Sequence, residues 1–134
     1  WSFGNDLMMG FAGNDIYRIN SILDDIREIA GQGTDTVITR NASTTLKTNF
    51  ENLTLDNTAG FLTALNGTGN SAANVITGNS NNNTLNGLGG NDTINAGAGN
   101  DIIIGGAGKD TMSDGGGNDD AGCMIRNHDT PPGS

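Results

Sequence analysis

The chain has 134 residues, enough for one ordinary domain, but only 34% of them are hydrophobic and 22 are glycine. A compact globule needs a thick apolar core to offset chain entropy, so this composition excludes one unless a repeat or a ligand supplies the stability. The formal charge of −9 argues against nucleic acid, which needs basic clusters, and 13 Asp against 2 Glu favours turns and cation-binding loops over an acidic helical surface.

The first eighteen residues read as two nine-residue units, WSFGNDLMM (1–9) and GFAGNDIYR (10–18). Both carry Gly fourth and Asp sixth (Asp6, Asp15), with Met8 and Tyr17 eighth. From 19 to 68 the frame loosens, and this segment is expected to continue the winding with irregular loops. Apolar residues fall at Ile26, Val37, Leu46, Leu55, Leu65 and Ile76, in steps of 9, 11, 9, 9, 10 and 11 from Tyr17, and "GQGTDTV" (31–37) restores Gly33, Asp35 and Val37 in phase. A rival reading makes 22–30 a short helix, because Ile22, Ile26 and Ile29 also suit helical spacing.

The strict frame returns at 69 and runs to 122. GNSAANVIT (69–77) and GNSNNNTLN (78–86) place Asn74 and Asn83 where Asp is expected. GLGGNDTIN (87–95), AGAGNDIII (96–104), GGAGKDTMS (105–113) and DGGGNDDAG (114–122) put Asp92, Asp101, Asp110 and Asp119 nine apart. Residues 123–134 break the pattern and read as a disordered tail. Cys123 is the single cysteine, so there is no disulfide framework, and His128 stands in no catalytic motif. No apolar run is long enough to span a membrane, and the start at Trp1, without a signal peptide, suggests a module of something longer.

In such a unit the last three positions suit a very short strand whose eighth side chain faces inward, while the first six form a loop in which glycine supplies φ > 0 and close stacking. Two units make one coil, so residues eighteen apart stack at roughly 4.8 Å. Asp92 then lies over Asp110 and Asp101 over Asp119. Like carboxylates at that spacing repel by about 3 kcal/mol per pair at an effective dielectric near 20, which a cation between the loops would relieve. Calcium accepts 6–8 oxygens, carboxylate and carbonyl alike, at flexible angles. The Asn-rich units would form neutral stacked amides that need no metal. Asn66, Asn70, Asn79, Asn81, Asn82 and Asn83 are expected mainly as loop residues tolerant of left-handed conformations.

The unit resembles the RTX nonapeptide G-G-x-G-x-D-x-U-x, with "GGAGKDTMS" the fullest match. The resemblance implies an all-β fold, a right-handed parallel β-roll (β-solenoid) with calcium between stacked Gly/Asp loops. It implies ligands at Asp92, Asp101, Asp110 and Asp119, at Asp15 with Asp35, and at Asp6 with Asp24, plus loop carbonyls around Gly87, Gly90, Gly99 and Gly108. It also implies type I secretion from a bacterium, calcium-driven folding outside the cell, and a linked parent domain. No catalytic constellation is present, so the reading is non-enzymatic. The alternatives are an accessory module of a secreted lipase, protease or alginate epimerase, and a surface repeat that binds ice or polysaccharide.

Overall fold

The structure is a computed structural model that describes residues 4–40, 42–56, 65–116 and 124–127. Every element among them is a short strand, and every strand pair is parallel. One sheet contains β2 (Ile16–Ile19), β4 (Thr36–Thr39), β6 (Asn52–Leu55), β8 (Val75–Thr77), β10 (Thr93–Asn95) and β12 (Thr111–Ser113), each beside the next. A second contains β5 (Thr44–Thr45), β7 (Asn66–Thr68), β9 (Thr84–Asn86), β11 (Ile102–Gly106) and β13 (Met124–Asn127). β1 (Leu7–Met9) pairs with β3 (Asp25–Arg27) in a separate ribbon. Strands that alternate between sheets and pair with the next but one describe a β-solenoid, the fold class the nine-residue period predicts.

The register follows that period. Thr93 pairs with Val75 on one side and Thr111 on the other, and Ile102 pairs with Thr84, all steps of eighteen. The eighth side chains Ile76, Leu85, Ile94 and Ile103 are buried and join Tyr17, Ile26, Val37 and Leu46 in one apolar cluster, with Met8 and Met112 packed at its ends. Their seventh and ninth neighbours Thr93, Asn95, Thr111 and Ser113 face solvent, as strand alternation requires.

The looser segment winds with unequal coils. Ile16 pairs with Thr36, Thr36 with Asn52, and Asn52 with Val75, which are steps of 20, 16 and 23. Leu55 and Leu65 are buried as expected, but two alignments across the strands shift. Leu53, not Leu55, lies opposite Val37 and Ile76, although both leucines are buried. Gly67, not Leu65, lies opposite Leu85. A Cβ on Gly67 would stand 3.1 Å from Leu53 Cδ2 and 3.2 Å from Leu85 Cδ2, so larger neighbours already fill that layer. Phe50 adds an edge-on contact with Tyr17 at 5.1 Å.

The helical alternative for 22–30 is not what forms. Residues 25–27 are β3, Ile26 turns inward, and Ile22 and Ile29 are exposed. The expected disordered tail contributes β13, whose Met124–Asn127 backbone pairs with β11. Asp119, Cys123 and His128 lie outside the described residues. No helix among the described residues is long and apolar enough to cross a membrane.

Candidate metal centre

Between strands, the six-residue loops stack through backbone bonds. The third-position amide donates to the second-position carbonyl one coil back: Ala98 to Asn79 (3.3 Å), Ala107 to Leu88 (2.9 Å), Gly116 to Gly97 (2.8 Å). The fourth-position glycines Gly4, Gly13, Gly90, Gly99 and Gly108 all have φ between 103° and 130°. At Gly90 and Gly108 a Cβ would also run into the backbone of the preceding coil, at Ala72 and Gly90 respectively. Glycine is required there for both hand and clearance.

The sixth-position carboxylates do not simply face one another. One oxygen of each reaches back to the backbone N–H of the aligned residue in the preceding coil. Asp92 Oδ1 accepts from Asn74 N–H at 2.8 Å, Asp101 Oδ1 from Asn83 N–H at 2.8 Å, and Asp110 Oδ1 from Asp92 N–H at 2.9 Å. The same bond joins Asp24 to Asp6 N–H (3.1 Å), Asp35 to Asp15 N–H (2.8 Å) and Glu51 to Asp35 N–H (2.8 Å). The structure thus brings together Asp92 with Asp110, Asp15 with Asp35 and Asp6 with Asp24.

The fifth-position Asn reaches the other way. Asn14, Asn82 and Asn91 each accept, through Oδ1, the N–H of the aligned residue one coil on (Thr34, Asn100 and Lys109), at 2.9 Å. The fifth and sixth positions therefore form opposed side-chain ladders, and the Asn91-Asp92 dipeptide takes part in both. The repetition of Asn-Asp at 14–15, 91–92 and 100–101 is the signal from which sequence reading could have found them. The left-handed role expected of Asn66, Asn70, Asn79, Asn81, Asn82 and Asn83 is not seen. Among the described residues the non-glycine positions with positive φ are Asn49 and Leu88. The loop asparagines work through their amides, which satisfy backbone groups that turns leave open.

The second carboxylate oxygen is where the chemistry lies. Asp92 Oδ2 and Asp110 Oδ2 are buried with no hydrogen-bond partner. The first-position glycines Gly87 and Gly105 make room for them, since a Cβ on either would collide with that oxygen. Burial pushes the Asp92 carboxyl up to about 6; the Asn74 N–H opposes the shift and the Asp110 charge adds to it. A buried carboxylate oxygen without a donor is costly unless a proton or a cation meets it. The Gly105 carbonyl oxygen lies in the same space as Asp92 Oδ2, since a Cβ on Gly87 would meet both, and oxygen ligands suit a hard cation of calcium's type.

A second acidic group forms near the first coils, where carboxylate oxygens of Asp15, Glu28 and Asp35 lie within 4.8 Å of one another. Glu28 comes from a loop with no repeat signature and was not anticipated. The Tyr17 hydroxyl donates to Glu28 Oε2, and burial, then that contact, hold its pKa far above the usual phenol value.

Against known proteins, the family model of the RTX calcium-binding nonapeptide repeat matches in 4 copies, over residues 2–18, 68–103 and 95–120. These segments cover just over half of the chain. The chain belongs to the RTX family. The RTX repeat is a calcium-binding structural element and not a catalytic one. No curated protein and no solved structure matches the chain.

Proposed function

We propose that this RTX chain is a calcium-driven folding module that works outside the cell as part of a larger secreted protein. The observation that carries the reading is the pair of buried, unpartnered oxygens, Asp92 Oδ2 and Asp110 Oδ2. Each lies against a first-position glycine, so the cost of burying it is relieved by a cation held between stacked loops. Ligands in this reading are Asp92, Asp101, Asp110 and Asp119, with backbone oxygens of the loops around Gly87, Gly90, Gly99 and Gly108. Asp15 and Asp35, joined by Glu28, form a further site on the coil of Asp35, whose second position, Gly31, is left-handed.

Folding and binding are coupled because the metal-free carboxylates oppose the structure that positions them. Extracellular modules bind calcium at about 10⁻⁴–10⁻³ M, weak enough to stay empty in the cytosol and fill outside it. Support for a linked partner domain comes from the first coils, where Leu7, Met9, Phe11 and Ile16 are all more than half exposed. Elsewhere those outward positions are mostly Thr or Asn.

Far-UV circular dichroism during a calcium titration from zero to about 10 mM, with magnesium as control, tests the reading across that affinity range. The expected result is a cooperative gain of β signal with calcium alone. A spectrum that calcium leaves unchanged overturns calcium-driven folding.

A further inference from the structure

We propose that the roll contains two interchangeable loop forms, and that the hand of the backbone at the second repeat position decides whether a coil takes a cation or closes on itself. The inference rests on the calcium reading above and adds a rule for which coils obey it.

The closed form occupies 69–77 and 78–86. Asn74 Oδ1 accepts the second-position N–H of Asn70 at 2.7 Å, and Asn83 Oδ1 accepts that of Asn79 at 2.9 Å. Their Nδ2 groups donate to carbonyls of the preceding coil, Asn74 to Phe50 O (3.2 Å) and Glu51 O (3.3 Å), Asn83 to Leu65 O (2.9 Å). A carbonyl lone pair accepts an N–H or a cation equally well. The side-chain amide therefore stands where a cation would, and it completes the coil without metal.

The open form occupies 87–95 and 105–113. Here the second position is left-handed: φ is 72° at Leu88 and 101° at Gly106. Positive φ swings the N–H away from the sixth side chain. Leu88 N–H donates instead to Asn86 Oδ1 at 3.1 Å, and Gly106 lies at a register shift in β11. The fourth position is also left-handed in both units, at Gly90 and Gly108, whereas the closed units carry Ala72 and Asn81 there without positive φ. Asp92 Oδ2 and Asp110 Oδ2 are left without a donor.

Residues 19–27 separate the two variables. Their sixth residue is Asp24, yet the second position, Asn20, is not left-handed. Asp24 Oδ2 accepts from Asn20 N–H at 3.1 Å and from Ser21 N–H at 3.3 Å. An aspartate alone does not open a coil. By this rule Asp24 is a closed-coil residue and the Asp6–Asp24 edge takes no cation through it.

Calcium counted per chain by equilibrium dialysis, with circular dichroism to confirm β content, tests the rule on the full chain. The triple variant Asn70→Gly/Ala72→Gly/Asn74→Asp should bind one calcium more than the wild type, whereas Asn74→Asp alone should bind no more. A gain by the single variant, or none by a folded triple variant, overturns the rule. The reverse exchange, Gly106→Asn/Gly108→Ala/Asp110→Asn, keeps the test decisive if the first does not fold. It should lose at least one calcium while retaining β signal, and wild-type binding by it overturns the rule. If the wild type itself binds no calcium, the calcium reading fails and the rule falls with it. If the wild type binds and the variants do not follow, the rule alone fails.

Discussion

Residues 69–86 and 87–113 have the same period, the same strand register and an apolar side chain packed into the core at every eighth position. They differ in what closes the loop. In the first region buried Asn74 and Asn83 have backbone partners for both amide oxygen and amide nitrogen. In the second, Asp92 and Asp110 each retain a buried oxygen that no protein donor meets. The fold is thus one architecture with two sources of completion, its own amides in one stretch and an external cation in the next. A continuous roll can begin where the chain is self-sufficient and extend where it is not.

The largest test of this contrast is in the core. Leu85 and Ile103 are both fully buried and lie opposite each other on adjacent strands. Truncating either to Ala should remove about 2–5 kcal/mol where its coil is folded. Leu85→Ala should cost that amount with and without calcium, and Ile103→Ala only with calcium. Urea unfolding in both conditions measures it, and equal losses in the absence of calcium would erase the distinction between the regions.

A smaller effect should appear with pH. The Asp92 carboxyl is raised to about 6 in the fold by burial, so the metal-free folded state holds its proton more tightly than the unfolded chain. That contribution is complete below the ordinary carboxylate value and is lost as pH rises through about 6. Metal-free protein should therefore gain β structure on acidification from pH 7 to pH 4 at Asp92, and calcium binding should weaken over the same interval because proton and cation compete. Melting curves at the two pH values check the first statement, and calcium titrations check the second. An Asn at 92 should abolish the acid gain.

The smallest test concerns Leu88, a half-exposed non-glycine residue with φ of 72° where the following units place Gly97, Gly106 and Gly115. Left-handed backbone costs a residue with a Cβ roughly 1–2 kcal/mol, so Leu88→Gly should stabilise the calcium-bound roll by about 1 kcal/mol. The same change in a closed coil, Asn79→Gly, removes a side-chain acceptor for Asn81 N–H and should destabilise. Thermal melts of the two variants in calcium compare the signs.

Much of this was legible in the sequence. The period placed Ile76, Leu85, Ile94 and Ile103 in the core and stacked Asp92 on Asp110, because a side chain's face depends only on its phase in the unit. Phase fails where coil length changes. Steps of 16 and 23 put Leu53 opposite Val37 and Ile76 and Gly67 opposite Leu85, while Leu55 and Leu65 stay buried beside them. Spacing also says nothing about hydrogen-bond direction. That Asn91 reaches forward and Asp92 backward is fixed by loop dihedrals, as is the left-handed turn at Leu88. Glu28 was hidden for another reason: its loop, which lacks the repeat, meets Asp15 and Asp35 only after the winding is complete.

The opposed ladders also give the molecule a mechanical grain. At three junctions one coil is tied to the next by a forward Asn (Asn14, Asn82, Asn91) and a backward Asp (Asp35, Asp101, Asp110) as well as by its strand bonds, and these ties lie at a loop edge where tension on a chain end would load them one coil at a time. Pulled from its C-terminal side, the roll should pay out in increments of one coil. Eighteen residues at about 3.4 Å each give roughly 60 Å of slack per rupture, a sawtooth whose teeth are cation-dependent until the self-closed coils are reached.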